Sequence, residues 1–174
     1  MMTNRTIKYT NRITLKIFTK KYITNEYISW LNDAEVVKYS ELRHVKQDYK
    51  TILAYIDSIK DESRMFAIIL DNDKHIGNIT LRMDRFNLNA DVSIMIGNKV
   101  FWGCGLAKEA IIASIYWLRK NTNMMYIIAG TMQNNEAMKR TFESLDFEYS
   151  GHRKQYFKKD NNRVDMLFYS KLLT

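Results

Sequence analysis

A chain of 174 residues, 46% hydrophobic and 26% charged, has the length and mix of one ordinary soluble domain with a sizeable core, and no apolar run approaches the roughly 18 residues that cross a membrane. One cysteine, Cys104, excludes an internal disulfide and a cysteine-based zinc site, and the histidines His44, His75 and His152 lack metal-ligand spacing, so no metal is expected. The net charge of +8 admits nucleic acid, an acidic surface or a polyphosphate ligand, but the basic residues are spread rather than blocked, which favours solvated faces plus one anion site.

The start, Met1–Arg5, is polar and no secretory apolar stretch follows, so the expected home is the cytoplasm with no membrane contact. Ile13–Phe18 alternates as a strand. Tyr22–Leu31 has helical spacing and stops at Asn32-Asp33. Lys46–Lys60 is a second helix with Tyr49, Ile52, Leu53, Ile56 and Ile59 on one face. Met65–Leu70 and His75–Arg82 form a hairpin around the turn 71–74; Asp84–Asn89 turns again, and Ala90–Gly97 is the third strand of the meander. Lys108–Asn121 is a helix with Ala107, Ile111, Ser114, Ile115 and Leu118 at core spacing. Met125–Thr131 is an apolar strand, and strand, helix, strand implies a parallel pair. Asn135–Ser144 is a helix. Phe147–Phe157 and Arg163–Ser170 close the chain as a hairpin around the tip 158–162. No repeat or linker interrupts the sequence, so residues 1–174 read as one α+β domain: a single mixed, mostly antiparallel sheet of about six to seven strands, flanked by about four helices.

The most informative stretch is Trp102-Gly103-Cys104-Gly105-Leu106-Ala107, a glycine turn between a strand and a helix. A helix start preceded by small residues presents free N–H groups and a positive dipole end, which suits a phosphate or pyrophosphate. The dinucleotide pattern G-x-G-x-x-G fails, because Lys108 occupies the third glycine slot and the preceding strands are antiparallel; a P-loop signature is absent.

In register, these residues match the acyl-CoA motif Q/R-x-x-G-x-G/A. The chain from about residue 12 to 171 resembles the GNAT superfamily of N-acetyltransferases, and within it the branch of ribosomal-protein N-terminal alanine and serine acetyltransferases. Trp30-Leu31-Asn32-Asp33, Gly77-Asn78-Ile79, Phe101-Trp102-Gly103, Lys108-Glu109-Ala110, Asn135-Glu136-Ala137 and Leu145-Asp146-Phe147 carry that likeness. It implies acetyl-CoA as co-substrate and splayed central strands. Ile94, Met95 and Ile96 then flank the pantetheine, and Trp102, Gly103, Cys104, Gly105, Leu106, Ala107 and Lys108 surround the pyrophosphate. Asn135 lies near the pantetheine or sulfur, and Lys139 meets a CoA phosphate.

Two slots depart from the family: Trp102 replaces Gln or Arg, and Asp146 replaces a glycine. A third, Phe142, stands where many relatives have a tyrosine that protonates the thiolate; Tyr126, Tyr149 and Tyr156 are the alternatives. Glu41 or His44, in the loop that borders the acceptor cleft in the family, could take the amine proton. Trp102 is expected to pack as core beneath the loop. The implied activity is acetyl transfer by direct attack in a ternary complex. The acceptor is a protein N-terminal amine, as on a ribosome-associated target, or a small amine such as a nucleotide-linked amino sugar. The other class is a silent CoA-binding domain or a basic RNA- or ribosome-binding protein. Tyr49, Tyr55, Tyr116 and Trp117, expected on or beside helical core faces, speak against RNA. The final strand and hairpin offer an edge through which a dimer could form.

Overall fold

The computed structural model describes residues 6–59, 62–159 and 161–173. Met1–Arg5, the expected helix end at Lys60, and Asp160 of the hairpin tip lie outside the described residues.

Eight strands form one sheet in the order β1-β2-β3-β4-β5-β6-β8-β7. The strands are β1 (Thr6–Lys8), β2 (Ile13–Ile17), β3 (Ser63–Leu70), β4 (His75–Asp84), β5 (Asn89–Ile96), β6 (Tyr126–Met132), β7 (Glu148–Lys159) and β8 (Asn162–Leu172). Every pairing is antiparallel except β5 with β6, which is parallel as expected from the intervening helix. The helices are α1 (Asn25–Asn32), α2 (Tyr49–Asp57), α3 (Leu106–Asn121) and α4 (Glu136–Glu143). The architecture is the expected one with one strand more. β1 is only Thr6-Ile7-Lys8, and its single inward residue, Ile7, is 5% exposed; three residues give too little alternation to read.

β3 shows why the sheet needs two layers. Phe66 and Ile68 join Leu15, Ile79, Val92, Ile111 and Leu118 in the larger core under α3. Met65, Ala67 and Ile69 join Tyr27, Trp30, Leu31 and Ile52 in a second core under α1 and α2. Alternate residues of one strand point to opposite faces, so α3 covers one face and the α1–α2 pair the other. Local chemistry sets the helix starts. Thr24 accepts from Tyr27 N–H, and Asp48 with Thr51 forms a capping box, so α1 and α2 each begin three residues later than periodicity suggests. α3 starts two residues earlier than expected and buries Leu106, Ala110 and Ala113 as well, while Ala107 is only half-buried. Tyr49, Tyr55 and Tyr116 correct the expectation of core faces: they are 48%, 48% and 43% exposed, and only Trp117 of that group is buried.

Asp146 sits at φ 55° just beyond α4, with its N–H donating to the Glu143 carbonyl and Phe147 N–H reaching back to the Phe142 carbonyl. This is a Schellman end whose left-handed position prefers glycine. Its Lys171 partner is 3.7 Å away at a site where the carboxylate is 91% exposed, so the ion pair adds little. Asp146→Gly is therefore expected to stabilise the fold by about 1 kcal/mol in urea unfolding; a loss would contradict this assignment of the helix end.

His75 at the start of β4 is packed among the rings of Phe18, Tyr22, Tyr27 and Trp30, with Nε2 2.9 Å from the Gly77 carbonyl. Burial lowers its pKa to about 4. An unfolded imidazole titrates near 6.5, so between those values the unfolded chain binds more protons than the folded one. The contribution is whole above pH about 6.5 and is lost as pH falls toward 4, amounting to roughly 2–3 kcal/mol. Unfolding midpoints at pH 7 and pH 4.5 will show this loss, and His75→Leu will shrink the difference between them.

Candidate active site

β5 leads through the 3-10 turn Lys99–Phe101 into Trp102–Gly105 and then α3. Gly103 and Gly105 hold φ of 74° and 76°, a region that costs an L side chain about 1–2 kcal/mol. Gly105 is the N-cap of α3 and offers no side-chain cap, whereas Thr24, Asp48 and Asn135 close α1, α2 and α4. Among the described residues, no backbone or side-chain acceptor takes the N–H groups from Gly103 to Lys108; the helical ladder begins with Glu109 N–H to the Gly105 carbonyl at 3.2 Å. The result is a short row of donors at the positive end of a sixteen-residue helix.

The loop is braced from the bend just before β2. Arg12 donates through Nε to Glu109 Oε1 at 2.6 Å and through Nη2 to the same oxygen, while Nη1 reaches the Cys104 carbonyl at 3.2 Å. Thr10 Oγ1 donates to Glu109 Oε2 at 2.6 Å. The Glu109 side chain is only 15% exposed, so removing its cation leaves a largely desolvated carboxylate. Arg12→Ala is expected to cost about 2 kcal/mol in urea unfolding, with Arg12→Lys recovering only part, since an ammonium lacks the planar fork. A neutral Arg12→Ala would refute the brace.

Beside the loop, the sheet opens. β5 and β6 pair only at Asn89↔Tyr126, Ala90↔Ile127 and Asp91↔Ile128. Beyond that point β5 stays with β4 as far as Gly77↔Ile96, and β6 stays with β8 as far as Met132↔Met166. Gly97 N–H donates to the Ile76 carbonyl at 2.9 Å, which makes Gly77 and Ile96 a non-hydrogen-bonded pair. The N–H and C=O groups of Ile96, and two residues back those of Ile94, therefore face the open side toward β6. Gly77 is needed for this close pairing: a Cβ there would lie 2.1 Å from the Met95 carbonyl oxygen. A parted pair of strands with free edges thus ends beside a helix start with free N–H groups.

Comparison with known proteins settles the family. A model described as an acetyltransferase (GNAT) domain matches residues 12–148. The chain belongs to the GNAT acetyltransferase family. This GNAT domain is also 27% identical over 170 residues, 94% of each chain, to an uncharacterized N-acetyltransferase p20 of Bacillus licheniformis. Among solved structures it resembles RimL, a ribosomal L7/L12 alpha-N-protein acetyltransferase in complex with CoA, with a TM-score of 0.85, 12% identity and coverage of 96% of this chain and 97% of that one. It resembles equally a spermidine N-acetyltransferase from Vibrio cholerae in complex with CoA and spermine, with a TM-score of 0.85, 16% identity and coverage of 94% and 97%. At such identities these two structures establish the fold.

Within this GNAT domain, Trp102 is a correction. It is 43% exposed rather than core, and its indole Nε1 donates to the Ile96 carbonyl at 2.7 Å, bridging loop and strand edge. Cys104 is exposed, its thiol 3.7 Å from the Trp102 carbonyl. Ile94, Met95 and Ile96 are half-buried on the splayed strand, Ile94 and Ile96 against the α3 core and Met95 against the α1–α2 core. Lys108 Nζ donates to the Ser144 carbonyl at 3.0 Å and ties α3 to the end of α4. Asn135 is buried, and its Oδ1 caps α4 by accepting from Met138 N–H at 3.4 Å. Lys139 is held by Glu136 at 2.7 Å and the Gln133 carbonyl at 3.3 Å, and Glu136 raises its pKa. Phe142 is 3% exposed and packs on Phe147 and Tyr169 as a core residue.

The candidate proton carriers are scattered. Tyr126 is at the closed end of the β5–β6 pair. Tyr149 lies on β7, with β8 between it and β6, and its hydroxyl is 2.7 Å from His152 Nδ1 in a cavity of about 470 Å³ outside α4. Tyr156 is exposed on the same outer strand. Glu41 and His44 are together, 3.9 Å apart, but Arg43 holds the Glu41 carboxylate at 2.8 Å. One residue escaped sequence reasoning. Asp91 occupies the last paired position before β5 and β6 part. Its neighbours Ala90 and Val92 belong to the α3 core, so Asp91 projects to the α1–α2 face. Burial raises its carboxyl pKa, with Arg82, its cross-strand partner, pulling the other way. In the sequence it looks like any polar member of an alternating strand.

Proposed function

We propose that this protein is an acetyl-CoA-dependent N-acetyltransferase that moves an acetyl group to a primary amine by direct attack. The observation that supports it most is the junction of an open strand edge with an uncapped α3. The N–H groups of Gly103, Cys104, Gly105, Leu106, Ala107 and Lys108 would hold the pyrophosphate, and the edges of Ile94 and Ile96, with Met95 between them, would pair with the pantetheine. Trp102 would release the Ile96 carbonyl as the arm enters. Asn135 flanks the arm from the start of α4, and Lys139 adds positive charge nearby.

The bound thioester supplies the activated acetyl carbonyl. From Ile96 back to Asp91 the edge runs about 16 Å at the usual strand rise, comparable with an extended pantetheine arm, so an arm paired along it would bring the carbonyl toward the point where the strands meet. There Asp91 would accept the proton of the incoming amine from the opposite face of the sheet. Glu41 and His44 would then line the acceptor entrance. No tyrosine is required at Phe142, because a thiolate of moderate basicity can be protonated by water. The acceptor is the N-terminal amine of a protein, as for RimL, or a small amine.

Calorimetric titration with acetyl-CoA, followed by thiol release against pools of peptides, amino sugars and polyamines, tests this. One-to-one micromolar binding with release on one amine class is the expected result. Binding with no release on any class would point instead to a silent CoA-binding domain, the reading that Phe142 keeps open.

A further inference from the structure

A second cavity, of about 760 Å³, opens between the α1–α2 connection and the tip of the closing hairpin, on the face of the sheet to which Asp91 projects. Its floor is apolar, with Leu31, Val37 and Leu42, and its walls carry Lys38, Arg43, His44, Lys46 and Lys158. The nearby acids are already engaged. Lys99 holds Asp33 and Glu35, each at 2.8 Å, and Arg43 holds Glu41. Among the described residues, Lys38, Lys46 and Lys158 have no carboxylate within 4 Å, so the cavity is left with uncompensated positive charge. Arg43 is the brace rather than a free cation: its side chain is 14% exposed, Nη1 donates to the Ser40 carbonyl at 2.8 Å, and Nη2 reaches the Lys158 carbonyl at 3.2 Å across the cavity. Its guanidinium also lies over the Phe157 ring at 5.8 Å. Two segments far apart in sequence are thus fastened so that lysines from both converge.

Resting on the acetyltransferase reading above, we propose that this cavity holds the anionic part of the acceptor, and that the acceptor is a small phosphate-bearing amine. The size suits a small molecule, and the apolar floor beneath a cationic rim suits a sugar or nucleoside body with a phosphate at the wall. Lys38, Lys46 and Lys158 supply the charge and His44 a ring donor. A polyamine would meet like charge at every wall.

The experiment compares glucosamine with glucosamine 6-phosphate, with spermidine and an acidic N-terminal peptide as further arms. Thiol release is measured for each at a saturating acetyl-CoA concentration set by prior titration. In parallel, protein saturated with CoA is titrated with glucosamine 6-phosphate and with AMP, so that the donor site is filled. The phosphate-bearing probes are expected to bind the CoA-loaded protein, more weakly as salt rises. Lys46→Glu and Lys158→Glu should each weaken that binding about tenfold and raise KM for the phosphorylated amine with kcat little changed. Lys120→Glu, on the remote end of α3, should leave both unchanged. Equal use of both glucosamines, preference for spermidine or the peptide, or phosphate binding indifferent to both reversals would overturn the proposal and leave the transferase intact. Failure of the prior acetyl-CoA titration would instead sink the transferase reading itself.

Discussion

Gly105→Glu will weaken acetyl-CoA binding by at least about a thousandfold, roughly 4 kcal/mol, while the protein stays folded. The site is the N-cap of α3 at φ 76°, and an added Cβ would meet only Arg12 Nη2 at 3.7 Å. The fold therefore loses about 1–2 kcal/mol of backbone preference and suffers no clash. The loss for the ligand is of another order, because a carboxylate would stand among the donors offered to a pyrophosphate. Gly105→Ala separates the two effects: it carries the same backbone cost without the charge, and should lower affinity far less. Titration calorimetry with thermal unfolding on all three proteins reads both quantities. Undiminished acetyl-CoA affinity in Gly105→Glu would remove the loop from the binding site.

Asp91→Asn is expected to lower kcat about a hundredfold or more and leave acetyl-CoA affinity within about twofold of the parent. The carboxyl must be ionised to accept a proton, and burial holds its pKa above the ordinary carboxylate value. Activity of the parent should consequently fall as pH drops through that raised pKa, and the variant should lose this limb of the profile. Asparagine keeps the shape of the side chain, so a structural role for Asp91 would leave the rate nearly intact. A variant with more than half the parent's kcat and an unaltered profile would return the proton to Glu41, His44 or water.

The turn and helix start of the candidate donor site were legible because their geometry is local. Gly103 and Gly105 announce their backbone geometry, and the strand before and helix after them follow from periodicity. What escaped depends on partners distant in sequence. The brace from Arg12 to Glu109 and Cys104 joins residues more than ninety positions apart, and nothing in either neighbourhood signals it. The parting of β5 and β6 came from family resemblance; which edges it frees is a matter of register, visible only once Gly97 is seen to bond to Ile76. Asp91 gains its interest from sitting at that vertex. Amphiphilic rings misled as well: Tyr49 fits a core stripe by spacing and Tyr116 lies beside one, yet a tyrosine is apolar at one end and polar at the other, and both are nearly half exposed here. Trp102 failed for a related reason, since its indole found a carbonyl acceptor at the strand edge instead of a place in the core.

The most direct test of the whole scheme is an amide-resolved NMR titration of the native protein with acetyl-CoA. The amides of Gly103 through Lys108 and those of Ile94 and Ile96 should shift together, with one micromolar dissociation constant, and the Trp102 indole N–H should move with them as its bond to Ile96 is released. Shifts confined to other surfaces, or none at millimolar acetyl-CoA, would contradict the assignment of the α3 start and the β5 edge as one donor site.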